Sequence, residues 1–161
     1  GVKGCMAVNP SDTAPALVAL DAKVVTSKRV IDAEKFWAAH EYGLTALEED
    51  EIVVEIRIPA PAAGTKSAFI KYATRGSIDF PIVNCAVMVS PENTRICLNA
   101  VAPNPYRAVL AEEVVKGKVI DEALAEAAGE AAVSKSKPLA KNKFKVQIAK
   151  TLVKRALLAC Q

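Results

Sequence analysis

This sequence is poor in the residues that most enzyme sites are built from. It has one histidine, His40, so any Ser-His-Asp or Cys-His arrangement must pass through a residue beside Trp37 and Glu41 that reads as an ordinary surface histidine. Four cysteines, at 5, 85, 97 and 160, include no Cys-x-x-Cys pair, which excludes a zinc site of the usual paired spacing. The seven glycines form neither a G-x-G-x-x-G fingerprint nor a P-loop, so self-contained nucleotide binding is unsupported. No apolar run reaches the roughly 18 residues of a membrane-spanning helix, because charged residues interrupt every candidate. Aromatics are only 5%, and none is placed to stack a nucleic-acid base.

What is present is globular. The 161 residues suffice for one ordinary domain or two small ones, with 52% hydrophobic and 24% charged residues. The net charge of +3 does not demand a polyanionic partner, but its distribution is uneven. No acidic residue follows Glu130, whereas Lys135, Lys137, Lys141, Lys143, Lys145, Lys150, Lys154 and Arg155 do. Those cations surround an apolar stripe, which favours a solvated helix face, or one docking an acidic partner subunit, over a surface for nucleic acid or membrane. Wide cysteine spacing and the absence of a signal peptide favour reduced thiols and a cytoplasmic location. Gly1 opens the chain and the first methionine is Met6, so the start of the gene product is expected upstream.

Periodicity then orders the chain. Ser11-Asp12 reads as a cap for an apolar helix over 13–20, with Pro15 in its first turn. Residues 22–26 and 29–32 read as short strands joined by Ser27-Lys28, and 34–41 as one or two helical turns. Ile52, Val54, Ile56 and Ile58 alternate with Val53, Glu55 and Arg57, the pattern of a half-buried strand. Two prolines and Gly64 end it and mark residues 59–64 as a linker. Strands are expected over 66–74, 82–90 and 95–102, and helices over 106–116, 121–133 and from beyond Pro138, where Phe144, Ile148, Leu152 and Ala156 recur at spacings of four. Strands followed by helices make this an α+β protein rather than a doubly wound sheet. In residues 71–80, Lys71 closes a strand ahead of a polar loop, placed to stabilise negative charge on a ligand, and Arg75 with Asp79 could brace the loop.

Read in order, these segments resemble the second half of the FAD-binding medium subunit of the molybdenum hydroxylases, the family of carbon monoxide dehydrogenase and xanthine dehydrogenase. The matching pieces are Pro10-Ser11-Asp12 with Ala14-Pro15-Ala16-Leu17 and Ala22; Asp50-Glu51-Ile52 through Ile56-x-Ile58-Pro59; residues 71–80; and Val101-Ala102-Pro103 with Arg107-Ala108. The resemblance implies that residues 1–60 finish an FAD-binding domain and that 61–161 form the family's C-terminal domain, a three-stranded antiparallel sheet packed with a three-helix bundle. It implies cofactor contacts at Asp12, Val53 and Lys71, with no catalytic residue and no metal ligand in this chain. It further implies an oxidoreductase subunit in which FAD relays electrons from iron-sulfur clusters to an acceptor such as NAD. Molybdopterin and the clusters would sit on partner subunits. The family's glycine-rich pyrophosphate loop has no counterpart here, so FAD is expected to need an N-terminal half as a further partner, and this chain alone is expected to be inactive and to bind FAD weakly. A subunit-docking module with no cofactor contact is the alternative reading, and a basic nucleic-acid-binding domain is a distant third.

Overall fold

The structure is a computed structural model that describes residues 7–37 and 45–161. In chain order these form α1 (Thr13–Ala19), β1 (Lys23–Thr26), β2 (Val30–Asp32), α2 (Ala33–Phe36), β3 (Val53–Arg57), β4 (Lys66–Tyr72), β5 (Val83–Val89), β6 (Thr94–Asn99), β7 (Tyr106–Arg107), α3 (Val109–Val115), α4 (Glu122–Val133) and α5 (Phe144–Leu158). Cys5, His40 and the end of the helix expected over 34–41 lie outside the described residues.

Residues 66–72, 83–89, 94–99 and 106–107 build an antiparallel sheet in the order β4-β5-β6-β7, with β5 a near-continuous apolar run. One face carries Val83, Cys85, Val87, Ile96 and Leu98 into a core closed by α3, α4 and α5. Each fully buried Val, Ile or Leu there contributes about 1.5–3 kcal/mol, which makes this cluster the principal stabiliser of the fold. The α+β class and the sheet-and-bundle layout agree with the expectation from sequence. A two-residue fourth strand was not expected. Tyr106 and Arg107, read as the start of a helix, instead pair with Leu98 and Cys97, and the Ala108 N–H donates to the Ile96 carbonyl at 2.8 Å. Pairing with the free edge of β6 outweighs helix propensity at that end, so α3 begins three residues later.

Helix α5 also differs in detail from its expected stripe. Leu152 and Ala156 are buried, together with Ala149, Val153 and Leu157, while Phe144 is exposed in the first turn. Of the cationic tail, Lys150 pairs with Glu126 (2.7 Å) and Glu130 (2.5 Å), and Lys154 with Glu122 (3.1 Å) and Glu126 (2.9 Å). Part of the apparent basic face is thus a seam between α4 and α5. Asp121 caps α4, its Oδ1 accepting from the Leu124 N–H at 2.7 Å.

The other face of the large sheet is covered by α1. Val18, Ala19 and Ala22 pack with Ala33, and with Ala86 of β5 and Cys97 of β6. Buried Arg95 anchors the end of this helix, donating from Nε and Nη2 to the Val18 carbonyl at 3.0 and 2.9 Å. Beyond α1 lies a small antiparallel sheet in the order β2-β1-β3. Its own cluster is Val24, Ile31 and Phe36 with partly buried Trp37, whose ring meets Phe36 edge-on at 5.2 Å. Glu51 ties the sheet to its connection: it accepts from Arg29 Nε and Nη2 at 3.0 Å each and from Thr26 Oγ1 at 2.5 Å.

Strand β3 corrects one expectation. The alternation over 52–58 predicts one buried face, but every residue of β3 is exposed, including Val53, Val54 and Ile56. It is the edge strand of its sheet, and nothing among the described residues covers either face. An irregular segment, 58–65, exposed up to Gly64 (φ +80°), joins it to β4.

Candidate functional site

The site forms where the turn ahead of α1 crosses the end of β4. Register sets its base: Lys71 of β4 lies opposite Asn84 of β5, which lies opposite Asn99 of β6, so the three share one face of the sheet. Both asparagines are fully buried. Asn84 Nδ2 donates to the Ser11 carbonyl at 3.1 Å and to Asp12 Oδ1 at 3.0 Å. Asn99 Nδ2 donates to the same Ser11 carbonyl at 2.7 Å and to Asn9 Oδ1 at 3.3 Å. Backbone bonds from Asn9 N to the Ala102 carbonyl and from Ala100 N to the Asn9 carbonyl, each 3.0 Å, fix the start of the turn.

On this base, Lys71 Nζ donates to Asp12 Oδ2 at 2.6 Å and to the Asp79 carbonyl at 2.5 Å. The pair is 59 positions apart in sequence and remains open to solvent, with side-chain exposures of 27% and 46%. Asp12 is the residue at the helix start, yet its carboxylate makes no cap bond. Ser11 does that work, its Oγ accepting from the Ala14 N–H at 3.1 Å. Asp12 is therefore left to face Lys71.

The loop after β4 folds back on its own carboxylate. Asp79 accepts from the Arg75 N–H (2.9 Å) and the Phe80 N–H (3.0 Å), with the Arg75 guanidinium at 3.5 Å. The Arg75 backbone bond is the main cause that holds the Asp79 carboxyl below the usual aspartate range. Closing this turn forces Ile78 to φ +46° and turns Ile78 (96% exposed) and Phe80 (74%) outward. Two large apolar side chains in water beside an ion pair are a surface built to be covered.

Of the three residues singled out from sequence, Asp12 and Lys71 converge. Val53 does not join them: it pairs with Thr26 across the small sheet, and no interaction among the described residues links it to either partner. Asn84 and Asn99 went unnoticed in the sequence, although an amide inside the apolar runs 83–89 and 96–99 was a usable signal, since a buried amide must bind something. The three cysteines among the described residues offer no reactive thiolate. Cys85, Cys97 and Cys160 are free and buried, and burial pushes all three thiols up.

The donor set suits a flavin ring. An ammonium has three N–H donors, and two of those on Lys71 are used among the described residues, leaving one for a ring carbonyl. Asp12 keeps lone pairs for a ring N–H or a ribityl hydroxyl. A pyrophosphate fits poorly beside that carboxylate, so the donors and acceptors here suit a ring with carbonyl and N–H groups better than they suit phosphates.

Comparison with known proteins gives the same direction. The pattern described as the FAD binding domain in molybdopterin dehydrogenase matches residues 4–61, and that of the CO dehydrogenase flavoprotein C-terminal domain matches 68–160. The carbon monoxide dehydrogenase medium chain of Hydrogenophaga pseudoflava is 32% identical over 94% of this chain and 56% of its own length. The aldehyde oxidoreductase FAD-binding subunit PaoB of Escherichia coli (strain K12) is 31% identical over 92% of this chain and 47% of its own. Among solved structures, carbon monoxide dehydrogenase from Hydrogenophaga pseudoflava superimposes with a TM-score of 0.83 at 33% identity, covering 94% of this chain and 56% of that one. Quinoline 2-oxidoreductase from Pseudomonas putida 86 does so with a TM-score of 0.83 at 29% identity, covering 97% and 58%. The chain spans about half the length of the curated relatives it matches.

Proposed function

This chain belongs to the family of FAD-binding subunits of the molybdenum hydroxylases, and we propose that it supplies the wall of the flavin site that holds the isoalloxazine ring. The observation that carries this reading is the 2.6 Å contact between Lys71 and Asp12, built on two buried asparagines and left open to solvent. Residues 1–60 complete the FAD-binding domain and 61–161 form the C-terminal domain, so the ring lies at their seam. Lys71 places positive charge at the ring and favours its anionic reduced state, and Asp12 orients it through hydrogen bonds. Val53, which makes no contact with Asp12 or Lys71, would reach the flavin separately, by its backbone and exposed side chain on β3. Ile78 and Phe80 shield one edge of the ring from water.

When bound, FAD supplies electron relay between one-electron and two-electron carriers. In a complete complex FAD would take electrons from iron-sulfur clusters on one partner subunit, supplied by molybdopterin on another, and would pass them to an acceptor such as NAD. An N-terminal half with a glycine-rich loop grips the pyrophosphate. The apolar face presented by Ile52, Val54 and Ile56 favours a second role for the same chain, docking those partners.

The test is flavin retention through gel filtration. The chain by itself is expected to lose FAD, and a complex with the N-terminal half to keep it in stoichiometric amount. In that complex Lys71→Met should shift the flavin midpoint potential to more negative values, because the cation that stabilises the reduced anion is gone. Tight retention by the chain by itself, or a potential unmoved by Lys71→Met, refutes the proposal. Partner association that persists unchanged after flavin removal would favour docking as the chain's main task.

A further inference from the structure

A cavity of about 300 Å³, lined by none of Asp12, Lys71, Asn84 and Asn99, lies between the connection from α4 to α5 and the edge of the large sheet. Its walls include Leu98, Val101, Tyr106, Val133, Leu139 and Val146, and Lys135 and Lys137 line its rim. Among the described residues, no aspartate or glutamate lines it. Inside, half-buried Lys145 donates to the Ala100 carbonyl at 3.0 Å and pairs with no carboxylate among the described residues. The contrast with its own helix is sharp. Lys150 and Lys154, on later turns of α5, each engage two glutamates of α4.

Lys145 also stands in the first turn of a 15-residue helix that has no acidic residue there and no side-chain cap. The positive end of the helix dipole therefore adds to the ammonium rather than being compensated. Burial pushes the Lys145 ammonium below the usual lysine range, as expected for a cation partly removed from water without a counter-charge. An uncharged occupant would leave that cation unanswered, and a cationic one would meet three lysines.

We propose that this cavity is a binding site for a small apolar carboxylate, with the carboxylate on Lys145 at the start of α5 and the hydrocarbon part among Leu98, Tyr106, Val133 and Val146. The size lies at the small end of ligand pockets, roughly 300–1,000 Å³, which suits a short acyl or aryl acid rather than a long lipid. The site is separate from the flavin reading and does not depend on it.

The test is a methyl-resolved NMR titration of the purified protein with octanoate, octanol and octylamine. Octanoate is expected to give saturable shifts at Leu98, Val133, Leu139 and Val146. Octanol should bind about tenfold more weakly or worse, having lost the charge-assisted bond, and octylamine not at all. Lys145→Met should weaken octanoate by about the same factor. Equal binding of octanol and octanoate, octanoate shifts away from these methyls, or unchanged octanoate affinity in Lys145→Met overturns the proposal. Should that variant misfold, the comparison of the three ligands on the parent protein decides alone.

Discussion

Asn84 and Asn99 face each other across β5 and β6, and both donate to one acceptor, the carbonyl oxygen of Ser11, at 3.1 and 2.7 Å. The turn that carries Asp12 is thereby fastened to the floor of the sheet on which Lys71 stands. The side-chain oxygens of both asparagines are buried with no hydrogen-bond partner among the described residues. A site that tolerates two such oxygens gains more from the two amide donors than it loses.

Removing one donor therefore has a measurable cost. Asn84→Ala takes away the bonds to Ser11 and Asp12 and should lower stability by about 1–3 kcal/mol, the range for stranding buried polar partners. Urea unfolding of parent and variant measures it. A midpoint equal to that of the parent would show that the amide is dispensable to the turn.

Acid should weaken the small sheet through Glu51. Its side chain is fully buried, and hydrogen bonds from Arg29, then Thr26 and the Glu48 backbone, hold its carboxyl at about 2. The ordinary glutamate value is about 4.3, so the folded state binds this proton less readily than the unfolded chain does. The contribution is complete above pH 5 or so and is lost as pH falls toward 2. Asp32, Glu55, Asp79 and Glu126 are lowered as well and slope in the same direction. Glu51→Gln should thus be less stable than the parent at pH 7 and show a shallower fall between pH 5 and 2. Parallel pH profiles for the two proteins would rule out this assignment.

At Gly129, α4 lies close against the backbone of α5. A Cβ added there would stand 2.7 Å from the Lys150 carbonyl oxygen, a backbone atom that cannot swing aside. Helix propensity favours alanine by about 1 kcal/mol at an interior position. Overpacking against backbone costs about 1–3 kcal/mol, so the clash should prevail. Gly129→Ala is expected to lower the thermal midpoint, and a raised midpoint would mean that the two helices part easily.

How much of this was legible in the sequence follows from the range of the forces involved. The strands at 66–72, 83–89 and 94–99 were readable because strand-forming residues and the turn at 91–94 are local signals, and α4 because Asp121 and an alanine run announce it. β7 was hidden, since Tyr106 and Arg107 adopt strand geometry only because β6 lies beside them. The alternation of β3 was read correctly as strand and wrongly as half-buried, because periodicity reports which residues could be covered and not what covers them. Convergence of Asp12 and Lys71 could not be derived from spacing at all. It depends on α1 packing against the back of a sheet formed some 70 residues later, and it entered through family resemblance. The asparagine pair left a visible trace, two amides in apolar strands, whose meaning appears only when register sets them side by side.

Ser11 and Asp12 are adjacent polar residues at a helix start, and the geometry divides their tasks. Ser11 Oγ accepts the Ala14 N–H, while both Asp12 oxygens turn to Asn84 and Lys71. Ser11→Ala should therefore cost about 0.5–2 kcal/mol of stability, as the loss of a helix cap does, with the ionic contact intact. Asp12→Asn keeps an oxygen and the shape but removes the charge of the more exposed member of a solvent-facing pair, and such pairs are worth about 0–1 kcal/mol. Its unfolding midpoint should stay near that of the parent. Flavin affinity of the complex with the N-terminal half should respond in the opposite order, falling more for Asp12→Asn than for Ser11→Ala. If both variants lost stability alike and flavin affinity alike, the carboxylate would be serving the helix after all, and Lys71 would lack the counter-ion that aims it at the ring.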